Sequence, residues 1–162
     1  MSVVNLRAAM VALLVLGSGG TAMAATSTGT LGVRVVVQPN CTVASATLDF
    51  GTYVSGQAAV LNGFTTVAYS NCPAGTLKFE LDNGANGTTA TRRMSNGSSG
   101  LLNYGLYKDS ARTQNFGQGT NGKNVTLTAT GSGSISVYGS IPATQAVAEG
   151  TYTDTVQITL TF

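Results

Sequence analysis

Residues 151–162 read TYTDTVQITLTF, and this stretch decides the fold. Val156, Ile158 and Leu160 alternate with polar residues, and Phe162 continues the same apolar row. A period of two is typical of a strand with one apolar face and one polar face. Because this strand is the last segment of the sequence, the pattern predicts a β-sandwich that still lacks its closing strand.

A second apolar row with the same period lies near the other end of the chain. It consists of Leu31, Val33, Val35 and Val37. The following residues, 38–40, read QPN, and proline ends an extended segment because it has no N–H to donate to a ladder. This row could supply the missing closing strand either in its own molecule or in a neighbouring one. The pattern alone favours an ordinary first strand in its own sandwich.

The first residues have the features of a secretory signal peptide. Arg7 supplies a positive charge, residues 8–16 are apolar, and residues 22–24 form a small-x-small cleavage site. The apolar run is about half of the roughly 20 residues that a membrane-spanning helix needs. We therefore expect export, cleavage before Ala25 and no membrane span afterwards. The remaining 138 of 162 residues suit one domain.

The chain has two cysteines, Cys41 and Cys72. An even number of cysteines in an exported protein predicts a disulfide. A redox or metal-binding role is disfavoured because the pair lacks C-x-x-C spacing and a histidine partner. We expect a structural bridge that contributes roughly 3–4 kcal/mol.

Composition excludes several classes of function. The chain contains no histidine, so it lacks the usual general base of nucleophilic enzymes and the commonest zinc ligand. The six carboxylates show no pairing pattern, which leaves a carbohydrate-active enzyme as the least favoured class. We predict a non-enzymatic protein without catalytic residues, metal or cofactor.

The charge of the chain argues against a nucleic-acid partner. The net charge is +2, and it falls to +1 when Arg7 is removed with the signal peptide. Nucleic-acid binding requires several phosphates to be neutralised from one face. The only basic doublet, Arg92 and Arg93, is predicted to be a solvated loop pair.

Apolar residues elsewhere recur at two-residue spacing, so the chain is predicted to be all-β. The extended segments are residues 41–50, 58–71, 77–81, 90–94, 102–107, 125–127 and 135–141. In the first segment the apolar residues change from odd to even positions, which predicts a bulge or a turn near Ser45. After the third, the pair Asn83-Gly84 predicts a two-residue hairpin turn. Short strands at such spacing predict a two-sheet sandwich.

Five motifs occur in a specific order along this chain. They are CTV at 41–43, LDFG at 48–51, LNYGLYKDSART at 102–113, VYGSIP at 137–142 and GTYTD at 150–154. Together they resemble the spore coat protein U domain family, which also includes subunits of archaic chaperone-usher pili. The resemblance implies an incomplete immunoglobulin-like sandwich. Its missing last strand is supplied first by a periplasmic chaperone and then by the next subunit.

Carried over to this chain, the resemblance implies a donor strand and an acceptor groove. The donor residues are Leu31, Val33, Val35 and Val37. The acceptor residues are Val156, Ile158, Leu160 and Phe162. The implied domains are a signal peptide at 1–24, a donor segment with linker at 25–40 and an incomplete pilin domain at 41–162.

The implied function is that of a structural subunit of a surface pilus, exported through the periplasm. The implied partners are a periplasmic chaperone, an outer-membrane usher and identical or related pilus subunits. The alternative is a monomeric secreted coat protein or ligand-binding β-sandwich module that inserts its own first strand.

Overall fold

The computed structural model describes residues 23–88 and 91–162. The expected signal peptide, residues 1–24, therefore lies outside the described residues except for its last two. The chain divides into two compact units, residues 1–36 and residues 37–162. In the described part of the first unit, residues 23–36, there is neither helix nor strand.

The second unit is built almost entirely of β-strands. Within the described residues they are β1 (Thr42–Val43), β2 (Leu61–Cys72), β3 (Gly75–Leu81), β4 (Arg92–Ser95), β5 (Leu101–Tyr107), β6 (Lys123–Leu127), β7 (Gly131–Ile141) and β8 (Ile158–Thr161). A short 3₁₀-helix spans Gly119–Asn121. The strands form a five-stranded sheet in the order β1-β2-β7-β5-β4 and a three-stranded sheet in the order β6-β3-β8. The prediction of an all-β, two-sheet protein is confirmed.

The core forms because alternate side chains of both sheets point inward. The longest pairing, between β2 and β7, is antiparallel, and β3 supplies the facing residues from the smaller sheet. The principal buried aliphatic and aromatic residues of these three strands are Val67, Tyr69, Leu77, Phe79, Leu81, Ile135, Val137 and Ile141. Fully burying one such aliphatic or Phe side chain stabilises the fold by about 1.5–3 kcal/mol.

The predicted disulfide is confirmed. Cys41 and Cys72 are bonded, which joins the residue before β1 to the last residue of β2. In contrast to the predicted extended segment 41–50, only Thr42 and Val43 form a strand, and the chain then leaves the ladder. The start of the last segment also differs, because only Ile158–Thr161 pairs as a strand.

Two further expectations were wrong. Asn83-Gly84 does not close a hairpin, because β3 pairs with β6 and β8 whereas β4 pairs with β5 in the other sheet. Gly84 still has a positive φ of 70°, so the local turn chemistry is present without the strand pairing. The basic doublet is not a solvated pair, since it starts β4 and strand alternation buries Arg92 completely and exposes Arg93.

Candidate functional site

An open groove of about 720 Å³ lies within the unit formed by residues 37–162. One wall consists of residues 43–50, which we call wall 1, and the other consists of residues 151–158, which we call wall 2. The floor is made by side chains of the two sheets. They are Thr65, Val67, Leu81, Met94, Tyr104, Leu106 and Val137. The groove therefore has a largely apolar floor between two extended segments.

Wall 2 leads into β8, which is the edge strand of the three-stranded sheet. The N–H of Asp82 donates to the carbonyl oxygen of Gln157 at 3.1 Å, so Gln157 faces β3. Hydrogen-bonding direction alternates along an antiparallel strand, and the backbone groups of Val156, Ile158 and Leu160 therefore point to the opposite edge. Within the described residues no strand pairs with that edge.

Wall 1 begins where β1 leaves β2. The N–H of Ala44 still donates to the carbonyl oxygen of Ala68 at 2.9 Å, and the chain then crosses the inner face of the sheet. Leu48 and Phe50 are half-buried. They pack over Gly63 and Gly139, which pair across β2 and β7. The change of parity expected near Ser45 thus corresponds to the chain leaving the ladder.

Tyr104 lies on the floor and is 6% exposed. Its hydroxyl donates to Oδ2 of Asp154 in wall 2 at 2.6 Å. Its ring makes an edge-on contact with the ring of Phe50 in wall 1, with 6.3 Å between the centroids. Burial, followed by the hydrogen bond to Asp154, raises the pKa of Tyr104 well above its ordinary value. The hydroxyl therefore keeps its proton and remains a donor.

A buried arginine supports the end of wall 2 through Asp82. Arg92 donates through Nε to the carbonyl oxygen of Asp82 at 2.8 Å and through Nη2 to that of Phe116 at 2.9 Å. Burial lowers the pKa of its guanidinium. Oδ1 of Asp82 in turn accepts the N–H of Gln157 at 2.9 Å and that of Gly84 at 3.0 Å. The beginning of wall 2 is held by two backbone hydrogen bonds of 2.9 Å between Thr153 and Ser95 of β4.

The sequence-predicted acceptor residues differ in position. Val156 and Ile158 line the groove, and Leu160 packs against the core. Phe162 is 53% exposed and lies outside the groove lining. The predicted donor residues are all highly exposed. Their exposed fractions are 89% for Leu31, 88% for Val33, 82% for Val35 and 85% for Val37.

Sequence reasoning assigned no role to Leu48, Phe50, Tyr104 and Asp154, which the structure brings together around the groove. All four lie in the motifs LDFG, LNYGLYKDSART and GTYTD. The motifs pointed to these residues but not to the contacts between them. Arg92 was misread because charged residues are almost never fully buried unless they are paired.

Among residues 23–88 and 91–162, no group of three or more His, Cys, Asp or Glu side chains is placed to hold a metal ion. Over the same ranges, no helix has the length and apolar character that crossing a membrane requires.

Residues 27–159 match the Spore Coat Protein U domain family, and the chain belongs to this family. A curated relative is "Protein U" of Myxococcus xanthus, which is 37% identical over 158 residues. The match covers 87% of this chain and 88% of that protein.

Solved structures of low sequence identity share the fold. The P pilus rod subunit PapA matches with a TM-score of 0.53 and 19% identity, over 75% of this chain and 97% of that one. A chain in the CsuC-CsuE chaperone-tip adhesion subunit pre-assembly complex of archaic Csu pili, from Acinetobacter baumannii, matches with a TM-score of 0.50 and 19% identity. That match covers 78% of this chain and 40% of the other, so this chain spans less than half of its length. The fold is thus the immunoglobulin-like sandwich of pilins.

Proposed function

We propose that this protein is a non-enzymatic structural subunit of a surface pilus, and that its groove receives a β-strand donated by the next subunit. The observation that carries the proposal is the combination of an apolar floor with an unpaired strand edge in wall 2. An inserted strand satisfies both, because its backbone pairs with the edge and its alternate side chains fill the floor.

The donated strand in this proposal is the segment that contains Leu31, Val33, Val35 and Val37. Side chains that are 82–89% exposed contribute nothing to a core until a partner surface covers them. Burying such a row stabilises the joint by about 1.5–3 kcal/mol for each side chain, before the cost of ordering the segment. In an extended conformation Arg34 and Val36 lie on the opposite face of the segment.

Donation of this kind builds a fibre. Each subunit donates at one site and accepts at a different one, so the contact is heterologous and continues along a chain of subunits. Before assembly the open edge needs cover, because exposed strand edges promote aggregation. The pre-assembly complex among the similar structures supports a periplasmic chaperone for this task. An outer-membrane usher and delivery to the cell surface complete the proposed route.

The proposal is tested by deleting residues 25–37 from the full chain in its natural host. Surface extracts are then separated without boiling, and the wild-type chain is expected to give a ladder of oligomers that the deletion abolishes. Two point variants sharpen the test. Val35→Asp places a charge on the donated face, where burial without a partner is costly, and is expected to remove the ladder. Val36→Asp makes the same change on the opposite face and is the matched control, expected to keep it.

Ladders that persist after the deletion would reject donation by this segment. The alternative is a monomeric secreted coat protein or ligand-binding module that uses its own first strand. The family description, which names a spore coat protein, favours the coat role in that alternative. It predicts a stable monomer from chaperone-free expression, with no ladder for either Asp variant or for the wild type.

A further inference from the structure

One side chain touches both walls of the groove. Tyr104 contacts Phe50 of wall 1 through its ring, with centroids 6.3 Å apart, and Asp154 of wall 2 through its hydroxyl at 2.6 Å. The walls come from distant parts of the sequence, and Tyr104 belongs to β5 on the floor between them. Tyr104 therefore connects the two walls through a single side chain.

Both ends of this link are fixed. Oδ1 of Asp154 accepts the N–H of Ala85 at 2.9 Å and the N–H of Thr155 at 2.9 Å, which anchors the carboxylate to the loop after β3. Phe50 rests on Gly139, where an added Cβ would lie 2.6 Å from its Cζ atom. These contacts orient Asp154 and Phe50 toward the groove, and Tyr104 is the side chain that connects the two.

We infer that Tyr104 is a positioning residue that holds the two walls apart and keeps the groove ready for an incoming strand. The inference rests on the proposed function, because it concerns how the groove receives its donor. Among residues 23–88 and 91–162 no strand pairs with the backbone edge of wall 2, and the hydrogen bond from Tyr104 helps to hold that wall in place. Once a donor strand is inserted, its backbone hydrogen bonds to wall 2 hold that wall in place.

This role predicts that Tyr104 affects strand entry more than strand release. Preorganisation of a binding site reduces the ordering cost that is met during association. Loss of a hydrogen bond to a carboxylate corresponds to about a tenfold or larger change in an equilibrium or rate. A residue that merely stabilised the finished complex would act on the release rate instead.

The experiment uses the full exported chain and a fluorescently labelled peptide of residues 29–39. Association and dissociation rates are measured by fluorescence anisotropy, and each protein is also unfolded in urea. Tyr104→Phe removes the hydroxyl and keeps the ring. The matched control is Tyr53→Phe, because Tyr53 lies outside the groove lining and its hydroxyl donates to the carbonyl oxygen of Pro142 at 3.2 Å.

We expect Tyr104→Phe to associate about tenfold more slowly than wild type, since it loses one charge-assisted hydrogen bond. Its dissociation rate and both rates of Tyr53→Phe are expected to stay at the wild-type values. Asp154→Asn removes the same charge-assisted bond from the other side, because an amide nitrogen cannot accept the tyrosine proton, and it keeps Oδ1 as the acceptor for Ala85 and Thr155. The double variant is expected to be no slower than the slower of the two single variants, because both changes remove one interaction.

Equal association rates for Tyr104→Phe, Tyr53→Phe and wild type would overturn the inference while leaving the proposed function standing. An increase in the dissociation rate alone would also overturn it. If the wild-type chain takes up no peptide, the proposed function fails, and this inference fails with it. Should Tyr104→Phe not fold, the association rate of Asp154→Asn decides between the same outcomes.

Discussion

At the scale of single residues, two glycines determine how closely wall 1 approaches the sheet. Gly63 and Gly139 are cross-strand partners on the inner face of β2 and β7. A Cβ on Gly139 would lie 2.6 Å from Cζ of Phe50 and 3.0 Å from Cδ1 of Leu48. Because these two glycines have no side chain, Leu48 and Phe50 of wall 1 can lie directly against the sheet.

Substitution of Gly139 by alanine should therefore displace wall 1. We expect Gly139→Ala to lower the free energy of unfolding by about 1–3 kcal/mol, the usual cost of overpacking. Gly131→Ala in the same strand is the control, because its Cβ would meet only the carbonyl oxygen of Ala129 at an ordinary 3.7 Å. Urea unfolding of both variants checks the prediction, which an equal effect of the two would contradict.

Asp109 gives the stability a dependence on pH. Its carboxylate accepts the N–H of Gln114 at 2.8 Å and also the hydroxyl of Thr113 at 2.9 Å. These bonds, led by the one from Gln114, hold the pKa of Asp109 below its ordinary value. A depressed pKa contributes stability above the pKa of the unfolded chain, about 3.9. That contribution is lost as the pH falls through the folded pKa.

We expect Asp109→Asn to be less stable than wild type at pH 7, with a difference that shrinks as the pH falls below about 3.9. Urea midpoints at pH 7, 4 and 3 measure this difference. A difference in urea midpoint that is as large at pH 3 as at pH 7 would show that the carboxylate charge does not contribute to stability.

Residue roles were the hardest feature to predict. The motif GTYTD contains Asp154, yet nothing in its spacing indicates that Tyr104 is the partner of this carboxylate. Arg92 could not be recognised as buried because its acceptors are backbone carbonyls, which every sequence contains. Contacts of this kind depend on the pairing of distant strands and become visible only in three dimensions.

At the scale of elements, the disulfide anchors the first strand, which is only two residues long. We expect Cys41→Ala/Cys72→Ala to lower the free energy of unfolding by about 3–4 kcal/mol, because the bridge restricts the unfolded chain. Urea unfolding with and without reducing agent tests this. Reducing agent should destabilise the wild type and leave the double variant unchanged, and a wild-type midpoint insensitive to reduction would contradict the prediction.

Strand existence was predictable where alternation is strong, as in β3, β5 and β7. The pattern of β2 is weak because Gly63 takes an inward position and Phe64, 68% exposed, takes an outward one. The hairpin at Asn83-Gly84 was wrong because turn chemistry is local, whereas the choice of partner strand is decided by burial across the whole sandwich. β3 lies between β6 and β8 in the smaller sheet, where Leu77, Phe79 and Leu81 are buried.

At the scale of the whole molecule, the expectation of an unfinished sandwich followed from two apolar rows and a family resemblance. The even-numbered apolar residues of 151–162 turn inward up to Leu160, as their alternation in the sequence indicates. Wall 1 was not predicted. After Ala44 the chain stops pairing, and its further path is set by the paired glycines of two other strands.

The alternation in wall 2 also restricts the offsets at which two molecules can be joined. The same residues direct their side chains to the interior and their backbone groups to the free edge. A donor strand displaced by one residue would turn its valines toward water. Only displacements by an even number of residues, in steps of about 6.6–6.8 Å, keep the valines facing the groove floor. A polymer built through this joint would therefore have a discrete set of repeat lengths, and a faulty connection would change the length by a fixed increment.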